Sequence, residues 1–141
     1  MRLRAGGLAP IALWALIALA MSACASTPAS PPASPVAITD YKMVAGRWQG
    51  EVTGLASRRQ EGDSVQLTIG EDGTYEFGVF RNIGVFSGKG KFVIQDGKLV
   101  GQGERGGATF TLYEGGGRRF LRSEGAVAAG QPVSAELQPA R

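Results

Sequence analysis

Cys24 is the only cysteine in the 141 residues, and the chain contains no histidine. These two facts together remove most side-chain chemistry. A thiol or hydroxyl nucleophile has no imidazole to activate it, no second sulfur is available for a disulfide, and thiolate or imidazole zinc sites cannot be assembled. Catalysis is left with carboxylate, Lys, Tyr or a carboxylate-bound metal, and none of these forms a recognisable constellation. Glu71-Asp72-Gly73 and Asp96-Gly97 fall short of the ligand number of a calcium loop and read as turns. Gly101-x-Gly103 lacks both the Lys-Ser/Thr of a phosphate loop and a following helix. No catalytic residue, metal or cofactor is therefore expected.

Two other groups carry chemistry of a different kind. Arginines recur at Arg58, Arg59, Arg118, Arg119 and Arg122, and guanidinium forks suit carboxylates and phosphates. Should the loop holding Arg58 and Arg59 share one end of the fold with the turn before Arg118 and Arg119, the four make an anion-binding rim. The plainer alternative is four solvated surface cations. Tyr75, Phe77, Phe86, Phe92 and Phe110 all occupy positions expected to face inward. Such rings either fill an interior or line an apolar cavity for one small ligand.

The elements that must position them are strands. In Ser64–Phe80, Val65, Leu67 and Ile69 alternate with polar residues, as do Tyr75, Phe77 and Val79. This two-residue period marks strands with one buried face. Gly70-Glu71-Asp72-Gly73 between them suits a tight hairpin, and Asp96-Gly97 is a second turn of the same kind. Trp48, Gly50, Val52 and Gly54 share one face of a first strand. Phe86, Gly88, Gly90, Phe92 and Ile94 alternate with Ser87, Lys89, Lys91 and Gln95 in what reads as a single strand. Lys98–Glu104, Ala108–Tyr113, Arg118–Ser123 and Val133–Gln138 complete about eight short strands, while Leu55–Asp63 reads as an exposed loop. A meander of that kind has two exposed edges that closure removes. The predicted fold is all-β, a small antiparallel up-and-down barrel, with an open β-sandwich as the alternative. Strands of five to seven residues are shorter than the roughly 9–11 that a membrane-spanning barrel needs.

Upstream, residues 1–23 have the layout of a secretory signal: basic Arg2 and Arg4, an apolar run from Leu8 to Ala20, then small residues before Cys24. Met21-Ser22-Ala23-Cys24 resembles the lipobox of bacterial lipoproteins. The resemblance implies cleavage before Cys24, acylation of Cys24 and attachment to membrane lipid; Ala25 in the next position implies the outer membrane, with the domain facing the periplasm. Several acyl chains at about 0.8 kcal/mol per buried CH₂ hold firmly where one holds reversibly. Residues 24–40, with Pro28, Pro31, Pro32 and Pro35, read as an extended spacer reaching on the order of 40–50 Å, and the barrel domain as residues 41–141. Without the leader, 13 basic residues face 12 acidic ones, so the pI of 9.4 for the whole chain overstates the basicity of the mature part. Nucleic acid is not an expected partner.

Gly46-Arg47-Trp48, at the start of the first strand, resembles the Gly-x-Trp signature of lipocalins. The resemblance implies that Trp48 plugs the closed end of the barrel beside Gly46, and that an arginine near the final strand stacks over it; Arg118, Arg119 and Arg122 are available, and Arg122 is the expected cover. The expected work is to bind a small apolar or amphipathic ligand inside the barrel. The alternative is a protein–protein interaction module with a filled interior: an envelope inhibitor, stress sensor or assembly accessory.

Overall fold

The computed structural model describes residues 31–54, 63–81, 84–103, 106–127 and 130–141. Ten strands occur among them: β1 (Ser34–Val36), β2 (Gly46–Thr53), β3 (Asp63–Ile69), β4 (Thr74–Arg81), β5 (Gly84–Lys91), β6 (Val93–Gln95), β7 (Lys98–Gly103), β8 (Gly106–Gly115), β9 (Arg118–Val127) and β10 (Pro132–Pro139). A 3₁₀ turn at Tyr41–Met43 precedes β2. The ladder runs β5-β4-β3-β2-β10-β9-β8-β7-β6, antiparallel throughout. The first barrel strand thus pairs with the last, and nine strands make a nearly closed antiparallel barrel. The leader, Cys24, Arg58 and Arg59 lie outside the described residues.

Alternation sets the faces. In β3 every second residue, Val65, Leu67 and Ile69, is buried, while Ser64, Gln66 and Thr68 are exposed. The inward set of β2 begins with Trp48, and the outward set holds Gln49, Glu51 and Thr53. Polar outside and apolar inside is the inverse of a lipid-facing barrel. Strand length does not supply that argument, since β8 and β9 each run to 10 residues, longer than the sequence predicts.

The turns obey the same local logic. Asp96 (φ 51°) and Gly97 (φ 72°) form a two-residue loop between paired Gln95 and Lys98, and Gly116 and Gly117 do the same between Gly115 and Arg118. Both central residues having positive φ is the turn geometry that matches strand twist. The β3–β4 loop is wider. Asp72 Oδ1 accepts hydrogen bonds from Thr74 N (3.0 Å) and Thr74 Oγ1 (2.6 Å), and these bonds hold its carboxyl below the usual aspartate range. Gly73 combines φ 83° with close approach: a Cβ there would sit 2.6 Å from the Tyr41 ring.

The structure corrects the sequence reading in two places. Phe86–Ile94 is not one strand: at Phe92 the chain leaves β4, and β6 pairs with β7 instead. Phe92 is buried, stacks on Tyr75 at 4.2 Å and donates its N–H to Gly73 O (2.9 Å). Its ring is anchored inside, so the backbone must cross from one sheet flank to the other. Consequently no ladder joins β5 to β6 or β7 among the described residues, and the barrel is slit there. The second correction concerns the proline-rich segment. The folded part begins before Tyr41: β1 pairs with the end of β8, Pro35 opposite Tyr113, and Ile38 is buried and bonded to Gly97 O (2.8 Å).

Candidate ligand cavity

One end of the barrel is filled. Ile38, Val44, Trp48, Ile69, Leu99, Leu112 and Leu121 are all buried there in one cluster. The Trp48 indole N–H donates to Val44 O (2.8 Å), fixing the ring across that end. Arg119 lies over it, its guanidinium carbon 5.7 Å from the ring, and also donates to Met43 O in the 3₁₀ turn and pairs with Glu114 (2.9 Å). The cover is therefore Arg119 and not Arg122. Parity explains the difference: Arg119 shares its face of β9 with the inward Leu121 and Ser123, whereas Arg122 points outward with Phe120. Outside, Arg122 stands 5.2 Å from the Tyr113 ring, and Arg118 bonds Glu136 at 2.8 Å.

The other end is hollow. A cavity of about 480 Å³ occupies it, and all five predicted rings, Tyr75, Phe77, Phe86, Phe92 and Phe110, line its wall. Phe92 alone is fully buried; the other four face inward yet remain half-buried, because they border space rather than packed atoms. Phe92 meets Phe110 edge to face at 5.2 Å and Phe77 lies 5.7 Å from Phe86, both favourable spacings for aromatic pairs. Facing them are small residues, Gly103, Gly106, Gly107, Ala108, Ala126 and Ala135. The cavity exists because β7, β8, β9 and β10 present hydrogens and methyl groups where β4 and β5 present rings. A few hundred Å³ of mostly apolar wall with few polar groups is the ordinary form of a small-molecule site.

Of the four residues expected to make an anion rim, Arg58 and Arg59 lie outside the described residues, so the structure places only Arg118 and Arg119. The Arg118–Arg119 turn lies at the filled end, since Trp48 pairs with Pro139 and Leu121 with Leu137. Gly54 and Asp63, between which Arg58 and Arg59 fall in sequence, lie at the opposite end, where Thr53 pairs with Ser134. Arg118 and Arg119 are moreover already engaged by Glu136 and Glu114.

The chain matches no family model, no curated protein and no solved structure.

Among the residues bordering the cavity that were not singled out as site candidates in sequence, two carry polar groups of note. Ser123, the one buried polar residue among those described, sits in the wall, and its place between Leu121 and Gly125 in the inward set of β9 is the signal that marks it. Lys89 is the other, and alternation alone places it outside.

Proposed function

We propose that this chain is a lipid-anchored protein of the bacterial envelope whose barrel carries a small apolar or amphipathic molecule, without catalysis. The observation that carries the reading is the half-buried aromatic wall facing about 480 Å³ of open space. A protein–protein module would gain nothing from leaving four rings unpacked, since unfilled volume in an interior forfeits dispersion contacts. The filled end supports a lipocalin-like assignment: a 3₁₀ turn leads into Gly46-Arg47-Trp48, and Arg119 covers the indole.

Gly103→Phe is the direct test. A Cβ at Gly103 has no neighbour closer than Gly106 O at 4.0 Å, and Gly103 lies in the cavity wall, so a ring there occupies ligand space without colliding with backbone. Binding of the neutral fluorophore N-phenyl-1-naphthylamine should fall at least about ten-fold while the melting temperature stays within a few degrees. Unchanged binding by the variant rejects the cavity as the site.

Anchoring through Cys24 has its own check. In the native host, Cys24→Ser should abolish incorporation of radiolabelled palmitate and release the protein from the membrane fraction, because no acyl chain then remains to bury. Since β1 joins the end of β8 at the filled end, a tether upstream of Ser34 holds that end toward the lipid and directs the hollow end away.

A further inference from the structure

Lys89 occupies a position that its strand alone does not explain. On β5, Phe86 and Gly88 face the interior, and Val85, Ser87 and Lys89 belong to the exposed outward set. Ser87 and Lys89 nevertheless border the cavity together with Gly101 and Gly103 of β7. Outward-facing residues of a ladder-paired strand are screened from the interior by the backbone. They reach it here because the cavity runs out past the unpaired edge of β5, through the slit that Phe92 opens. The slit is bordered by Gly88, Gly101 and Gly103, so its margins are bare backbone.

Lys89 is the only charged residue among those lining the cavity. Its cross-strand neighbour is Glu76, yet no carboxylate lies within 4.0 Å of the ammonium among the described residues. A second donor borders the same cavity. The Tyr75 ring leans over Gly90, where a Cβ would come within 2.8 Å of the Tyr75 hydroxyl, and that hydroxyl has no hydrogen-bond partner among the described residues. The cavity walled by Phe77, Phe86, Phe92 and Phe110 is therefore also lined by an ammonium and a phenol, neither with an acceptor among the described residues. An apolar chamber lined by two donors without protein acceptors, one of them a solvated cation, matches a long apolar tail that ends in an oxyanion.

We propose that the cavity binds a single-chain amphiphile with an anionic oxygen head, the tail among the aromatic rings and the head in the slit beneath Lys89 and the Tyr75 hydroxyl. This rests on the cavity reading above and adds the head-group class and the route of entry. A carboxylate and a phosphate monoester share the required chemistry.

The test is displacement of N-phenyl-1-naphthylamine from the full chain by four sixteen-carbon competitors below their micelle concentrations: palmitate, hexadecyl phosphate, hexadecanol and hexadecyltrimethylammonium. At low salt, palmitate or hexadecyl phosphate should compete about five-fold better than hexadecanol, the gain from one solvent-exposed ion pair. The ammonium amphiphile should compete worst. Which anion leads distinguishes a free fatty acid from a lysophospholipid-type head. Lys89→Gln should reduce the anions to the hexadecanol level, Lys89→Arg should restore them, and added salt should erode the preference in the native chain alone. Equal competition by hexadecanol and both anions, or an anion preference that survives Lys89→Gln, overturns the head-group assignment while leaving the cavity standing. Failure of the native chain to bind the fluorophore overturns both.

Discussion

Replacing Trp48 with alanine is expected to destabilise the barrel by about 3–5 kcal/mol, the range for deleting a fully buried large aromatic. The side chain is 3% exposed and sits in the cluster that fills one end of the barrel. Three losses combine. The ring volume becomes a void lined by Val44 and its neighbours, Val44 O loses the indole donor at 2.8 Å, and the Arg119 guanidinium loses the face it covers at 5.7 Å. The cation–π share is modest, about 0.5–1 kcal/mol for a partly exposed arginine. For a domain of about a hundred residues the melting temperature should fall on the order of 15–25 °C. Trp48→Phe keeps a ring and loses the N–H, so it should fall between the two. A melting curve of Trp48→Ala that overlays the native one removes the plug from the account of stability.

Gly50→Ala is the second large effect, and it runs against the usual benefit of alanine. Gly50 lies in the inward set of β2, between Val65 of β3 and Leu137 of β10. A Cβ there would overlap the main-chain oxygen of Glu136 and come within 2.9 Å of its carbonyl carbon and 3.1 Å of Leu137 Cα. Those are backbone atoms, which cannot swing aside as a side chain can, so β10 must move off β2 at the join that closes the barrel. Overpacking of this kind costs about 1–3 kcal/mol and at times more. Gly103→Ala is the control: it has room, and the reduced freedom of the unfolded chain should leave it neutral or slightly stabilised. Denaturant midpoints of the two variants should therefore separate, with Gly50→Ala lower. Coincident midpoints show that β10 yields to Gly50 without cost.

Much of this architecture is legible in one dimension because the strand period is local. Whether Val65 or Gln66 faces inward depends only on its neighbours two residues away, and positive-φ turns are marked by Asp96-Gly97 and by the glycines after Glu114. That the five rings and Trp48 face inward follows from that period; the plug role of Trp48 is what the Gly-x-Trp resemblance implies, and the cavity is seen only in the fold. Counting strands was harder. Phe86–Ile94 keeps its alternation through Phe92 while changing partner, and alternation carries no mark of partner. The proline-rich run hid β1 because Ser34–Val36 needs only the end of β8, left free where β7 stops, to become a strand.

What the amino-acid order determined by itself, then, is which side of each strand is apolar, where the chain reverses, and which chemistry is missing with no histidine and a single cysteine. Only the tertiary structure decided that Arg119 rather than Arg122 covers Trp48, that Arg118 and Arg119 lie at the end opposite Gly54 and Asp63, and that Lys89 reaches the cavity past an unpaired edge. Face is a property of a residue and its near neighbours. Barrel end, strand partner and open slit are properties of how the whole ring of strands closes, and no short window of sequence contains that closure.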